Sequence, residues 1–516
     1  FSWSPFSDRK TVIRGGFGLI YSNGISAAFG DQNGAISGPA YANYVGYPGD
    51  RTFQTPAFKL SAGAPPANLP PLDAVKQNDN QFLGTVVGAF LRGGKDPYVT
   101  QWSFYIQREL PGNTALSVGY VGTHGMHLYG DEFRNYDYVP TAVRQKLRYN
   151  LNNNVLSDPA IGSIYGCLPD PSQPSKDDCP GFLVMKPYPQ YAGVTPNTQP
   201  DGFNRYNSFQ TKLEKRYSHG VNFILAYTIQ KDLESPNTGS IIGNTATPTT
   251  LNRTVGRASF IPGAISGGVG NFAGGGAAAQ DPDNRRADTA LAPDDIPQIL
   301  NMVVTYELPF GNGKPFLNRG GLVDKATGGW KLTQNWNFQS GVPMSFSGPC
   351  NGVTCRPNLI GDPSRGRASK SRQQKENQWW DPSAFEAPFG SDPVVIQGIT
   401  TGFYPDGKPF DYNSDIYWTF GTAGLRPPTG RAPGYWNADF TLAKNLQFSE
   451  SRYFQFRWEV FNVFNHQNLG IPNSYWCLPR NGSTDDVVHR FGCSFGQITN
   501  VQTDPRAMEF GIKFYW

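Results

Sequence analysis

The chain has 516 residues, 14% aromatic but only 38% hydrophobic and 16% charged, with 59 Gly, 43 Pro and 25 Tyr. That aromatic-rich, charge-poor balance is a β composition, and at a mean hydropathy of -0.45 no run approaches the roughly 18 apolar residues of a helical membrane span. A formal net charge of +4, from 44 Lys and Arg against 40 Asp and Glu, carries no nucleic-acid footprint.

Phe1–Phe6 and Lys10–Tyr21 read as the first hairpin, joined through Ser7-Asp8-Arg9. Ile13, Phe17, Leu19 and Tyr21 share one face, and Arg14, Gly16 and Gly18 the other, which is the two-residue period of a strand. After a long polar stretch, Ser22–Pro97, the spacing predicts a strand over Thr100–Leu110 that aligns Trp102, Phe104, Ile106 and Leu110. Pro111-Gly112-Asn113 is a tight turn, and Thr114–Thr123 returns with Leu116, Val118 and Tyr120 aligned. A second long stretch runs from about Gly130 to Arg205. Tyr206–Tyr217 then sets Phe209, Thr211, Leu213 and Tyr217 against Ser208, Gln210, Lys212, Glu214 and Arg216, and Val221–Ile229 returns through Ser218-His219-Gly220.

The next loop includes Gly267–Ala279, too rich in Gly and Ala to bury a core. Ile299–Leu308 and Trp330–Phe346 form another strand pair across a connection through Pro309-Phe310-Gly311. A long loop reaches Gly434. Tyr435–Asn445 and Arg452–Asn465 follow, turning at Leu446–Ser451. The chain ends on a strand in which Met508, Phe510, Ile512, Phe514 and Trp516 alternate with Glu509, Gly511, Lys513 and Tyr515.

Connections alternate short and long, and polar faces carry Arg, Lys, Glu, Gln and Asn deep within strands. Transmembrane barrels combine both features, with short turns on the periplasmic side and long loops outside. The expected fold is therefore all-β: an antiparallel transmembrane β-barrel portion of about eleven strands with long extracellular loops. Barrels close because an open edge would leave backbone groups unpaired in lipid. Eleven strands thus correspond to half of a 22-strand barrel of the size associated with plugged transporters. Phe454, Phe456, Trp458, Phe510, Ile512, Phe514 and Trp516 are expected to face lipid. Arg14, Lys212, Glu214, Arg216, Arg457, Glu459, Glu509 and Lys513 are expected to face the lumen, bracing the interior or docking a plug rather than lining a substrate path. Trp102, Tyr227 and Trp436 are placed at the outer rim, and Tyr217, Trp330, Tyr453 and Trp516 at the inner one, as two aromatic girdles. Phe1 is not a start methionine and the chain opens inside a strand-like run, so a piece of something longer is expected.

The six cysteines fall into three local pairs, Cys167 with Cys179, Cys350 with Cys355 and Cys477 with Cys493. Each closes a short loop, and the tight knuckles or histidine partners that zinc prefers are missing. Disulfides outside the cytosol are the expectation. His124 and His127, three apart on a strand, face opposite sides and make a poor metal pair. Asp281, Asp283 and Asp288 lack EF-hand spacing, and Arg365, Arg367, Lys370 and Arg372 read as a solvated loop cluster. No nucleophile elbow, Walker A loop or His-Glu-x-x-His is present, so neither enzyme activity, metal nor cofactor is expected.

Several stretches carry a resemblance. Lys10-Thr11-Val12-Ile13-Arg14-Gly15-Gly16-Phe17-Gly18, Gly430-Arg431-Ala432-Pro433-Gly434-Tyr435-Trp436-Asn437-Ala438-Asp439 and Phe456-Arg457-Trp458-Glu459-Val460-Phe461-Asn462-Val463-Phe464-Asn465-His466 are three of them. Phe495-Gly496-Gln497-Ile498, Asp504-Pro505-Arg506 and the closing aromatic complete the set. Together they resemble TonB-dependent outer-membrane receptors of the Oar-like, acidobacterial type, across the strands and much less across the loops. The resemblance implies the C-terminal half of a 22-strand barrel, with a plug, a TonB box and often a carboxypeptidase-regulatory-like domain upstream, none of them within these residues. It also implies import driven by TonB–ExbB–ExbD, a last strand read by the barrel assembly machinery, and residence among outer-membrane lipid and lipopolysaccharide of a Gram-negative cell with the C-terminus periplasmic. The ligand is not legible. Two further readings stay open: a surface-binding or adhesion protein using the barrel only as an anchor, and a secreted soluble β-protein extractable without detergent.

Overall fold

The structure, a computed structural model, describes residues 1–21, 86–89, 95–128, 136–140, 186–191, 193–196, 202–235, 283–347, 356–386, 394–396, 399–403, 409–411, 421–448, 452–476 and 494–516. The chain divides into two units. The first, 1–21 with 98–128 and 201–516, holds a 12-stranded antiparallel sheet. Eleven strands follow one another in an unbroken path: β1 (Ser2–Trp3), β2 (Thr11–Tyr21), β3 (Tyr98–Leu110), β4 (Thr114–Leu128), β5 (Gly202–Ser218), β6 (Val221–Glu234), β7 (Gln298–Glu307), β8 (Trp330–Gln339), β9 (Tyr435–Gln447), β10 (Tyr453–Phe461) and β11 (Ala507–Tyr515). The twelfth, Ala290–Leu291, pairs beside the end of β6. In the second unit, Val86–Ala89 pairs in parallel with Gly193–Pro196. There the fully buried Asp137 accepts the Tyr188 N–H at 2.9 Å and lies 3.5 Å from the Lys186 ammonium.

Register carries one apolar face across the whole path. Phe510 stands opposite Trp458, Trp458 opposite Leu442, Leu442 opposite Leu332, and Leu332 opposite Tyr306, which faces Val221. Further along β6, Ile229 meets Phe209, which leads to Tyr120 and Phe104. This face is bare. Phe17 is 77% exposed, Phe510 71% and Ile512 74%, and Phe104, Phe209, Ile229 and Phe514 are exposed as well. A soluble sandwich would bury such a face under a second sheet about 10 Å away. Bare apolar surface on this scale marks an interface with something other than water. No described helix is long and apolar enough to cross a membrane, which says nothing of strands.

Several strands run longer than the spacing predicts, most of them toward the long-loop end, while β9 gains two residues at its short-turn end. β4 reaches Leu128 rather than Thr123, β5 begins at Gly202 rather than Tyr206, and β6 reaches Glu234 rather than Ile229. Two predicted strands are cut short there. β8 stops at Gln339 rather than Phe346, because Gly341 packs so closely under the Ala432 carbonyl that a Cβ would sit 1.7 Å from it, and Pro343 carries no N–H for a ladder. β10 stops at Phe461 rather than Asn465, because Asn462 and Asn465 both take φ of 48°, which ends a strand. The 308–329 connection contains a short helix, α1 (Leu322–Thr327), and the β8–β9 connection contains α2 (Arg372–Asn377), capped by Ser371 and Gln374 in a reciprocal box. Along the described path β11 pairs only with β10, and β1 covers only Ile13 and Arg14 of β2, so the described sheet is open at both edges.

Candidate functional site

The face opposite the apolar one is a wall of amides, hydroxyls and a few charges. Tyr105 lies across Gly119, where a Cβ would stand 2.1 Å from its ring, and its hydroxyl donates to Gln210 Oε1 at 2.9 Å. Tyr206 donates to Gln230 Oε1 at 3.0 Å, Gln455 Nε2 to Asn445 Oδ1 at 3.0 Å and Asn437 Nδ2 to Asp439 at 2.8 Å. Lys212 pairs with Glu214 at 2.7 Å, and Arg457 pairs with Glu459. Glu509 stands directly across from Glu459, and Lys513 from Gln455, so these share one face. Arg14 is exposed on that face of β2, opposite Tyr105. Arg216 is exposed beside the register shift that ends β5, with its N–H donated to Asn113 O at 2.9 Å. Charges that balance in adjacent pairs, set among neutral hydrogen-bonding groups, make a wettable wall rather than a strong field.

At the long-loop end the connections build their own core. Phe346 meets Trp380 edge-on at 4.9 Å and Phe385 at 4.7 Å, and Phe385 meets Phe495 at 5.3 Å. Met344, Phe346 and Trp380 are essentially inaccessible. The indole of Trp379 donates to Arg431 O at 2.9 Å, and that of Trp380 to Asn473 O at 3.1 Å. Three ion pairs pin this cap around the ends of β6 and β7: Arg426 with Glu234 at 2.7 Å, Arg431 with Asp295 at 2.5 Å, and Arg356 with Asp288. Burial holds the Arg426 guanidinium below its ordinary value, and the carboxylate of Glu234 works the other way.

Three asparagines tie the cap to the sheet. Asn468 accepts the Trp436 N–H at 2.9 Å and donates to the Trp436 carbonyl at 2.7 Å, as a neighbouring strand would. Asn462 donates to the carbonyls of His466 and Asp504 at 3.0 Å, and Arg506 N–H donates to Asn465 Oδ1 at 2.9 Å. Replacing Asn468 with alanine removes both bonds to Trp436. Local stability is expected to fall by about 1–3 kcal/mol, read as faster amide exchange at Trp436 with β3 and β4 unchanged.

The basic loop cluster is built in rather than simply solvated. The Arg367 guanidinium lies 4.5 Å over the Trp379 ring, Lys370 Nζ donates to Gln378 O at 2.7 Å, and Arg372 pairs with Glu376 at 2.8 Å. Arg365 stands 3.9 Å from Asp381. Burial lowers both Arg367 and Lys370 from their ordinary values. Asp288 is engaged by Arg356, Asp283 is exposed, and Asp281 lies outside the described residues. His124 stands opposite Thr100 and Arg205, while His127 occupies the register shift with φ of 55° and its ring 5.8 Å from Tyr98. No group of metal-ligating side chains forms among the described residues. All six cysteines lie outside the described residues. Among the rim aromatics, Tyr453 stacks on Tyr515 at 4.4 Å on the polar face, because its register matches Gln455 and Arg457 rather than Phe454; this corrects its place in an outward girdle.

The residues missed by sequence reasoning are those of the cap. Nothing in the spacing of Glu234, Asp295, Arg356 or Arg426 marks them. The nearest signals were the adjacent Trp379 and Trp380 and the glycine- and asparagine-rich motifs around Trp436 and Phe464.

Residues 1–509 match the family described as "Outer membrane beta barrel domain". No curated protein matches the sequence. Among solved structures, the chain is similar to the outer membrane transporter YddB from Escherichia coli, with 8% identity and a TM-score of 0.38, covering 100% of this chain and 40% of that one. It is also similar to BauA, the ferric preacinetobactin receptor from Acinetobacter baumannii, with 7% identity and a TM-score of 0.28, covering 82% of this chain and 30% of that one. The chain therefore spans less than half the length of these structures.

Proposed function

The chain belongs to the outer membrane β-barrel domain family, and from that premise we propose that it is the C-terminal portion of an Oar-like TonB-dependent receptor, half of a 22-strand barrel that captures a ligand outside the cell and imports it. The observation that carries the reading is the pairing of two features. One apolar face runs in register across the antiparallel sheet and is exposed at Phe17, Phe104, Phe209, Ile229, Phe454 and Phe510, and every long connection leaves the sheet at the same end. Lipid is the environment that accepts such a face, and long loops at one rim are the side a barrel turns outward.

In this reading Phe454, Phe456, Trp458, Phe510, Ile512, Phe514 and Trp516 touch acyl chains, and the polar wall from Arg14 to Lys513 lines the lumen. The short turns and the C-terminus are periplasmic. TonB, ExbB and ExbD act through an upstream plug and TonB box, and the barrel assembly machinery reads β11. The buried core and ion pairs of the cap hold its own residues in place, so that part of the rim does not need to order itself on contact. The three cysteine pairs close loops on the oxidising outer side.

Orientation is tested by inserting an epitope after Gly366, exposed at the long-loop end, or after Gly112, in the β3–β4 turn. Antibody should stain intact cells only for the Gly366 insertion, and the reverse pattern overturns the orientation. Deleting the TonB box from the full-length gene should abolish energised uptake. Binding without accumulation in the undeleted strain would instead make the barrel a mere anchor.

A further inference from the structure

The connection from β7 to β8, residues 308–329, is far longer than the other short-end connections, 4–10, 111–113, 219–220 and 448–452. It carries Phe310, Phe316, Leu317, Leu322 and Val323, all exposed, with Leu322 at 85%. The segment is nevertheless held firmly. Phe316 N–H donates to Pro309 O at 3.0 Å, Gly311 N–H to Phe316 O at 3.1 Å and Gly313 N–H to Asn318 Oδ1 at 2.8 Å. The Asp324 carboxylate accepts the Asn312 N–H at 2.6 Å. Leu317 is kept at φ of 52°, a left-handed conformation that a leucine avoids. Hydrogen bonds thus fix five large apolar side chains outside any core.

The segment is clamped to the apolar side of the sheet. Lys444 stands in register between Leu442 and Leu446, on the face that carries Trp458 and Phe510. Its ammonium donates to the carbonyls of Ala326 at 3.0 Å and Gly328 at 2.6 Å, and lies 4.9 Å over the Trp330 ring. The Trp330 indole donates to Ala326 O at 3.1 Å. The ammonium of a lysine on an apolar face is thereby solvated by the carbonyl end of α1, and the end of α1 is brought against that face. Around the apolar side chains stand exposed Arg319 and Lys325, while Lys314 pairs with Glu307 at 3.3 Å and Asp324 is turned inward.

We propose that residues 309–325 form an interfacial anchor that beds into the phospholipid leaflet at the short-turn end, with Phe316, Leu317 and Leu322 entering the acyl boundary and Arg319 and Lys325 meeting lipid phosphates. Exposed apolar groups flanked by cations, adjoining the apolar face of the sheet, fit the headgroup boundary in both shape and charge. The inference rests on the membrane reading of that face. A periplasmic protein is the competing occupant.

The test places the photo-crosslinker p-benzoylphenylalanine at Leu322, at Phe514 or at Asn113 in the full-length chain in its own outer membrane. Adducts are identified by mass spectrometry after irradiation. Phospholipid adducts are expected at Leu322 and Phe514, several-fold above those at Asn113. A protein adduct at Leu322, or lipid adducts there no higher than at Asn113, overturns the anchor. Lipid adducts missing from Phe514 overturn the membrane reading of the sheet itself.

Discussion

Replacing Arg426 with alanine is expected to loosen the loop cap by about 3–5 kcal/mol, the usual consequence of stripping one partner from a buried ion pair. Arg426 and Glu234 are both almost wholly buried and stand 2.7 Å apart, and Arg426 also donates to the Leu291 carbonyl. The substitution leaves the Glu234 carboxylate in a low-dielectric site without its cation, where its charge is costly to hold. Amide protection of Leu291, Ala292 and Asp295 should fall by roughly a hundred- to a thousandfold or more, since each 1.4 kcal/mol is about a factor of ten. Exchange within β3, β4 and β10 should stay unchanged, because the sheet does not depend on the cap. The exposed pair offers the contrast: Lys212→Ala should cost less than about 1 kcal/mol. Protection at 291–295 that survives the loss of Arg426 would show that the cap is held by its aromatic core alone.

Placing an arginine at Phe510 should cost about 2–4 kcal/mol of folding into a bilayer, whereas an arginine one residue on, at Gly511, should cost little. The two positions share backbone, strand and depth, and differ only in face. Phe510 is 71% exposed on the apolar side, and nothing lies within 4 Å of a Cβ built at Gly511. Refolding into phosphatidylcholine vesicles, followed by urea titration, isolates the face from any effect on cellular assembly. Equal costs at the two sites would mean that lipid does not distinguish the faces, and the membrane assignment would fail. A larger cost at Gly511 would mean that the sheet is inside out.

Much of the sheet was legible because a strand exposes its period directly. Phe510, Ile512 and Phe514 against Glu509 and Lys513 need no partner to be recognised, and Pro111-Gly112-Asn113 announces its own turn. Strand ends were less legible. Whether β6 stops at Ile229 or runs to Glu234 depends on Asp295, which accepts the Asp232 N–H at 2.7 Å from 63 residues away. Phe346 looked like a strand residue because its neighbours alternate, yet it is the centre of the cap.

Alternation alone determined that the chain is all-β, roughly where its strands lie and that they carry two chemically opposite faces, because a two-residue period is a local property of the backbone and each short turn is written in adjacent residues. The tertiary structure alone decided that the loops carry a buried aromatic core, that Arg356, Arg426 and Arg431 find Asp288, Glu234 and Asp295, and that α1 is clamped by Lys444. Those contacts join residues up to 192 positions apart, and no local period records which distant carboxylate a buried arginine will meet.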